Sequence, residues 1–194
     1  TAELAVLETS LAQASHGLIT VAVVGESGIG KTTVVERFAT AAAARGAFVL
    51  GARCSDREQV PFRAVDSIVD DLGQYLAAHP DAARPLPPDA GLLAQAFPTL
   101  AAVTDRQAPV LADPHERRSR MAAAFGALVD VVAREAPIVV WLDDAQWADE
   151  DSIALLAALV HAAPPLLFVV SARATPAWLP ATTRRLDVGP LTAS

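Results

Sequence analysis

Eight consecutive residues near the start of the chain have the spacing of a phosphate-binding loop. They are Gly25, Glu26, Ser27, Gly28, Ile29, Gly30, Lys31 and Thr32, which fit the pattern G-x-x-x-x-G-K-[ST]. Lys31 is the only lysine among the 15 lysine and arginine residues of the chain. A lysine ammonium is a compact charge on a flexible stem, whereas a guanidinium is planar and wider. The chain therefore keeps lysine at the one position where a charge must fit between two phosphates.

The residues on either side of this loop fit a strand and a helix. Residues 18–24 form a short apolar, β-branched run that is typical of a buried parallel strand. From Thr32 onward the apolar residues recur at helical spacing, at Val35, Phe38, Ala39 and Ala42. Gly25, Gly28 and Gly30 would let backbone N–H groups turn inward, toward the positive end of the helix dipole. A chance glycine-rich turn would lack this context, so the pattern favours a nucleoside triphosphate site.

Two adjacent carboxylates follow a second apolar run. Residues 138–142 lead directly into Asp143 and Asp144. Mg²⁺ keeps several of its waters and takes few protein ligands, so the Thr32 hydroxyl and the Asp143 carboxylate are the predicted metal ligands. Asp144 lies one residue further out and is the predicted general base for an attacking water. The alternative is a pair of solvated turn residues, which the accompanying phosphate loop disfavours.

A further candidate lies at the end of the fourth predicted strand, where Ser171 and Ala172 precede Arg173. The carboxyl ends of parallel strands face the ligand in nucleotide-binding sheets. We therefore predict that Arg173 is a sensor, which contacts the terminal phosphate and loses that contact on hydrolysis. The predicted catalytic residues are Asp144, Lys31 and Arg173. The alternative is an arginine at a strand end whose charge lies in water.

Strands and helices alternate along the chain, which predicts an α/β fold with a parallel sheet covered on both faces. The predicted strands are 18–24, 48–53, 138–143, 166–172 and 184–188. The predicted helices are 2–14, 32–45, 62–78, a helix after the N-cap Asp113, and 150–161. The proline-rich stretch from 80 to 114 is the least regular part, and no helix or strand is predicted between residue 80 and the N-cap Asp113. We expect one domain over residues 1–194, with a helical insertion at about 55–113.

Composition excludes several classes of protein. The chain has 194 residues and is 53% hydrophobic, as expected of a globular domain. Its net charge of −7 argues against direct nucleic acid contact. Its apolar runs are too short to cross a membrane, and no secretion signal is visible, so we expect a cytoplasmic protein. Cys54 is the only cysteine, and the four histidines lack metal-ligand spacing.

The run Leu142-Asp143-Asp144-Ala145-Gln146-Trp147-Ala148-Asp149 resembles the LDDxQWAD segment of STAND-type, AAA-related P-loop ATPases, as found in large LuxR-type transcriptional regulators and related signalling proteins. Segments 2–4, 60–65 and 186–191 resemble family segments in the same order, so the resemblance covers nearly the whole chain.

This resemblance implies a P-loop NTPase three-layer sandwich with a five-stranded parallel sheet in the order 5-1-4-3-2. It implies that Gly30 and Lys31 contact the phosphates, that Thr33 reaches the α-phosphate, and that Thr32 and Asp143 hold Mg²⁺. The family also has a helical lid and a winged-helix domain, attached to output domains, which this sequence does not contain. A Gly-Arg pair that usually precedes the Glu-Leu near the N-terminus is also absent.

We therefore expect ATP or ADP and Mg²⁺ as ligands, with ATP binding and slow hydrolysis serving as the nucleotide switch of a larger regulatory protein. Nucleotide-dependent self-association is open. A GTPase is disfavoured because the chain has no asparagine and no second lysine for a guanine-specifying Asn-Lys-x-Asp motif. A small-molecule kinase remains an alternative, although its only arginine cluster, Arg117, Arg118 and Arg120, fits a solvated or partner-binding helix face better. A nucleotide-binding interaction module with negligible turnover is the other alternative.

Overall fold

The computed structural model describes residues 2–55, 61–80, 86–104 and 107–189. Its centre is a five-stranded parallel sheet in the order β2-β3-β4-β1-β5, which confirms the predicted order. The strands are β1 Ile19–Val24, β2 Phe48–Arg53, β3 Ile138–Asp143, β4 Leu167–Ala172 and β5 Arg184–Asp187. The helices are α1 Ala2–Ala14, α2 Lys31–Ala44, α3 Arg63–Ala78, α4 Ala90–Ala96, α5 Pro98–Ala101, α6 Pro114–Ala133 and α7 Glu150–Ala162, with a 3₁₀ turn at Ala145–Trp147.

Apolar residues cover both faces of the sheet, because successive side chains of a strand point to opposite faces. On one face Val21 and Val23 pack with residues of α1 and α2 such as Leu7 and Phe38. On the other face strand residues such as Phe168 pack with α3, α6 and α7. The predicted three-layer α/β architecture is therefore confirmed.

The strand register brings several chain segments to one edge of the sheet. Val24 of β1 is paired with Ala172 of β4, and Arg53 of β2 is paired with Asp143 of β3. The residues that follow β1, β2, β3 and β4 therefore meet at this carboxyl-terminal edge. The phosphate loop and the acidic pair, Asp143 and Asp144, were both expected there.

Two short helices, α4 and α5, lie within the proline-rich stretch for which no element was predicted. Helices of this length show no apolar period in the sequence. Their attachment to α6 uses the arginine cluster of that helix. Arg120 forms an ion pair with Asp89, with Nε 3.0 Å from Oδ2, and Arg117 donates to the Gln95 side chain at 3.2 Å. These two arginines therefore bind within the chain, which differs from the expected solvated or partner-binding face.

The N-terminus of α6 confirms a prediction made from local sequence. The Asp113 carboxylate accepts a hydrogen bond of 2.9 Å from the backbone N–H of His115, and Pro114 is the first helical residue.

Within the part of the chain that the structure describes, no helix is both long enough and apolar enough to cross a membrane.

Candidate functional site

The phosphate-binding loop joins the end of β1 to the start of α2, as its flanking residues predict. Gly28 and Gly30 have φ angles of +81° and +107°, a region that residues with a β-carbon rarely adopt. Gly25 is restricted in another way, because a β-carbon there would lie 2.9 Å from the Val188 carbonyl oxygen. The loop backbone thus depends on glycine at all three positions.

Lys31, at the start of α2, is only 5% exposed. Its ammonium donates hydrogen bonds to the carbonyl oxygens of Gly25 and Glu26, at 3.0 and 2.9 Å. The charge therefore lies against the loop itself, within reach of an anion that the loop would enclose. The side chains of Glu26 and Ser27 are exposed, so their contribution to such a site would come from the backbone. Thr33 is also exposed.

The next residue of α2 contacts the acidic pair directly. The Thr32 hydroxyl lies 3.1 and 3.0 Å from the two carboxylate oxygens of Asp143, although the two residues are 111 positions apart in sequence. Asp143 is 1% exposed and also accepts a hydrogen bond from the buried Ser171 hydroxyl. Mg²⁺ takes few ligands from a protein and keeps several of its waters. The Thr32 hydroxyl and the Asp143 carboxylate, which are in contact, could serve as those ligands.

An arginine that the sequence analysis did not single out provides the positive charge at these acids. Arg53, the last residue of β2, has Nε 3.6 Å from Asp143 and a terminal nitrogen 3.6 Å from Asp144. Its side chain is 70% exposed, so it can leave the acids without disturbing the core. The signal was available, because Arg53 ends the strand beside β3 and parallel strands end at the same edge.

Asp144 adopts a left-handed backbone conformation, with φ 53° and ψ 43°. Aspartate is one of the residues that tolerates this region. Its backbone N–H donates to the Ser171 hydroxyl at 3.0 Å, and its carboxylate accepts from Gln146 at 3.1 Å. Ser171 therefore contacts both residues of the pair, through the Asp143 carboxylate and the Asp144 backbone, and this role was not predicted from the sequence. A serine within the apolar strand β4 was the signal that could have shown it.

Arg173 lines an open cleft that Asp144 also lines. The cleft has a volume of about 710 Å³, and its lining includes Arg53, Asp144, Trp147 and Arg173. The Arg173 guanidinium carbon lies 5.9 Å from the centroid of the Trp147 ring. The structure therefore brings Lys31, Thr32, Asp143 and Asp144 to one edge of the sheet and places Arg173 in the cleft beside Asp144.

Asp149 connects this edge to the start of α3. Its carboxylate accepts hydrogen bonds from the backbone N–H groups of Phe62 and Ala64, at 3.0 and 3.2 Å, and from Ser152 at both N–H and hydroxyl. Burial would raise the pKa of the Asp149 carboxyl, but the hydrogen bonds from Ser152, Ala64 and Phe62 outweigh it and hold the pKa below its ordinary value. One carboxylate thus caps α7 and fixes the start of α3.

Cys54 follows Arg53 and is buried. Burial, with the negative charges of Asp149, Asp143 and Asp144, raises the pKa of its thiol to about 12. The thiol is therefore protonated at neutral pH and is not a nucleophile. The described residues also contain no group of three or more histidine, cysteine, aspartate or glutamate side chains placed to hold a metal ion.

A glycine-dependent phosphate loop, a lysine, and a threonine in contact with a strand-end aspartate together define a P-loop nucleoside triphosphatase. Comparison with known families specifies this class further. Residues 1–170 match the model of the AAA ATPase domain, and the chain belongs to this family.

Two solved structures are similar in fold. One is the structure of Drosophila ORC bound to DNA, with 11% identity, a TM-score of 0.46, and coverage of 96% of this chain and 91% of that chain. The other is Drosophila ORC bound to AT-rich DNA and Cdc6, with 12% identity, a TM-score of 0.46, and coverage of 98% and 58%. A search of curated proteins found no match.

Proposed function

We propose that this chain binds ATP together with Mg²⁺ and hydrolyses it slowly, as the nucleotide switch of a larger signalling or transcription-regulatory protein. The observation that carries this proposal is the contact of the Thr32 hydroxyl with both oxygens of Asp143, beside a loop whose glycines leave its backbone open to an anion. A buried carboxylate is costly unless its charge is compensated, and Arg53, which lies 3.6 Å from Asp143, is 70% exposed and can leave, so Asp143 fits a cation site.

In this proposal the loop backbone of residues 25–30 donates its N–H groups to the phosphates. Lys31 exchanges the carbonyl oxygens of Gly25 and Glu26 for phosphate oxygens, and Thr33 reaches the α-phosphate. Thr32 and Asp143 would hold Mg²⁺, which when bound neutralises the charge that develops on the β- and γ-phosphate oxygens. Arg173 pairs with the γ-phosphate from the cleft side.

Asp144 acts as the general base in the hydrolysis step. Its carboxylate accepts a proton from the attacking water, the water oxygen bonds to the γ-phosphorus, and the bond to the β–γ bridging oxygen breaks with its electron pair remaining on ADP. The Asp144 carboxylate is already bound by Gln146 and Arg53, at 3.1 and 3.6 Å. These contacts use Oδ1 and Oδ2 respectively, so both carboxylate oxygens already have a partner that competes with the attacking water, and we expect slow turnover.

The wider regulatory role is supported by the run at residues 142–149, which resembles the STAND branch of these ATPases. We propose a lid, a winged-helix domain and an output domain as attached partners, with an adenine nucleotide as the bound ligand. Nucleotide-dependent self-association would be one way for such a switch to act on its partners.

A second candidate function is an interaction module that binds nucleotide with negligible turnover. The engagement of the Asp144 carboxylate by Arg53 and Gln146 favours it, since these two partners compete with an attacking water for the carboxylate oxygens. Phosphate release under single-turnover conditions, with protein in excess of ATP, separates the two candidates.

The test of nucleotide binding is Lys31→Ala. Two charge-assisted contacts to phosphate are lost, so ATP affinity measured by calorimetry in Mg²⁺ should fall by roughly two to four orders of magnitude. Arg37→Ala is the matched control, because Arg37 is an exposed cation on the same helix and should leave affinity unchanged. Unchanged ATP binding by a folded Lys31→Ala protein would contradict the proposal, and a preference for GTP over ATP in competition would contradict the adenine assignment.

A further inference from the structure

Trp147 is an exposed aromatic side chain at the edge of the candidate site. It is 42% exposed, and among the described residues only Val6 and Val110 are other large apolar side chains with comparable or greater exposure. Trp147 ends the 3₁₀ turn Ala145–Trp147, and its backbone N–H donates to the Asp144 carbonyl oxygen at 3.0 Å. The backbone that carries the ring is therefore fixed relative to Asp144. The packing of the core does not account for the exposed ring.

The ring is in contact with Arg173, the proposed γ-phosphate sensor. The guanidinium carbon lies 5.9 Å from the ring centroid, within the range of a cation–π interaction. No ion pair or hydrogen bond involves the Arg173 side chain within residues 2–55, 61–80, 86–104 and 107–189. A guanidinium stacks through its face and donates hydrogen bonds through its edge. Contact with Trp147 therefore leaves the donors of Arg173 free for an anion.

We propose that Trp147 is a positioning residue that holds Arg173 beside the γ-phosphate of bound ATP. The inference rests on the proposed function, in which Arg173 contacts that phosphate. A free arginine side chain has many rotamers, and ordering one on binding costs free energy. The Trp147 ring restricts Arg173 to the cleft that also contains Asp144, so part of this ordering precedes nucleotide binding. Trp147 thus increases the selectivity of the site for triphosphate over diphosphate without touching the nucleotide.

The test measures the affinities of ATPγS and ADP, with Mg²⁺, by calorimetry on the chain as it stands, and uses their ratio as the readout. Arg173→Ala should lower the ratio of ATPγS affinity to ADP affinity, because the contact of the sensor with the γ-phosphate is lost. Trp147→Ala should lower ATPγS affinity by roughly two- to five-fold and leave ADP affinity unchanged, as expected for loss of one exposed cation–π contact. Trp147→Phe keeps an aromatic face and should recover most of the ratio.

The double variant Arg173→Ala with Trp147→Ala gives the decisive comparison. If Trp147 acts through Arg173, the double variant has the same ratio as Arg173→Ala alone. A further loss in the double variant, or a fall in ADP affinity equal to that of ATPγS in Trp147→Ala, would show a general structural role and overturn the inference. Trp178→Phe is the matched control, because Trp178 packs edge-on against Phe168 at 6.0 Å and should leave the ratio unchanged.

The experiment also separates this inference from the proposed function. If wild type binds ATPγS but Arg173→Ala leaves the ratio unchanged, the chain is still a triphosphate-binding domain, whereas Arg173 is not a sensor and the role of Trp147 fails with it. If wild type binds neither nucleotide, the proposed function itself is wrong.

Discussion

The carboxyl-terminal edge of the sheet and the helices α3 to α5, which we call the insertion, are organised in different ways. At the edge, polar side chains from distant parts of the chain contact one another, as Thr32, Asp143 and Ser171 do. The insertion, α3 to α5, is held mainly by apolar residues such as Phe97, which is buried against Phe62 with ring centroids 5.6 Å apart. Polar contacts of the first kind can bind ligands and take part in catalysis, whereas apolar burial of the second kind mainly stabilises the fold. Substitutions in the two regions should therefore change different measured quantities.

The largest effect is expected at Asp144. Asp144→Asn keeps the size of the side chain but removes its capacity to accept a proton, so phosphate release should fall by roughly two to four orders of magnitude. ATP affinity should stay within about two-fold, because Asp143 and Lys31 are unchanged. Single-turnover phosphate release and calorimetry measure the two quantities separately.

The control for that experiment is Asp130→Asn, which neutralises an aspartate on α6 that pairs with Arg134 at 2.8 Å. It should leave phosphate release at the wild-type rate. An Asp144→Asn protein with wild-type turnover would show that another group supplies the base, and Asp144 would then be a strand-end acid held by Gln146 and Arg53.

The phosphate loop was predictable from sequence because its chemistry is local. Its glycines, Lys31 and Thr32 lie within eight consecutive residues, and the backbone contacts of Lys31, to Gly25 and Glu26, lie within the same run. The strand that ends in Asp143 was also recognisable, since it is a continuous apolar run. The structure places both as expected, whereas the roles assigned to them stay predictions.

The contributions of Arg53 and Ser171 were not predicted, although the predicted strand order already placed β2 and β4 on either side of β3. Strand order alone gives neither the register of the strands nor the direction of each side chain, and both decide whether Arg53 and Ser171 reach Asp143. The left-handed backbone of Asp144 has no sequence signal of the kind that glycine provides. In the insertion, α4 and α5 are too short to show an apolar period, and the Arg120–Asp89 pair exists only after the chain has folded.

The second prediction concerns a substitution in the insertion, α3 to α5. Phe97→Ala removes a ring that is 1% exposed, so the free energy of unfolding should fall by about 3–5 kcal/mol. ADP affinity, measured where the variant is still folded, should remain at the wild-type value. Urea unfolding gives the stability.

Val110→Ala is the control for Phe97→Ala, because Val110 precedes α6 and is fully exposed. Its stability should stay within about 0.5 kcal/mol of wild type. A large loss of ADP affinity in the folded Phe97→Ala protein would mean that the insertion and the carboxyl-terminal edge of the sheet are coupled more tightly than their separate contacts indicate.

The third and smallest expected effect concerns Asp149, the carboxylate that joins the two regions. Asp149→Asn keeps the side-chain shape but replaces one acceptor oxygen with an NH₂ group, so part of the hydrogen bonding to Phe62, Ala64 and Ser152 is lost. Leaving buried donors without acceptors should lower the free energy of unfolding at pH 7 by about 1–3 kcal/mol. Urea unfolding of both proteins measures the difference.

The same substitution should change the pH dependence of stability. The pKa of the Asp149 carboxyl is lower in the folded chain than in the unfolded chain, so its stabilising contribution is complete above the unfolded pKa, about 4, and is lost as pH falls through the folded pKa. The difference between wild type and Asp149→Asn should therefore narrow below about pH 4. Asp151→Asn, in the same first turn of α7, removes only an interaction with the helix dipole and should cost less than about 1 kcal/mol at pH 7. If the two variants lose equal stability at pH 7, the bonds from Asp149 to the start of α3 contribute nothing beyond the dipole, and the insertion is attached by apolar packing alone.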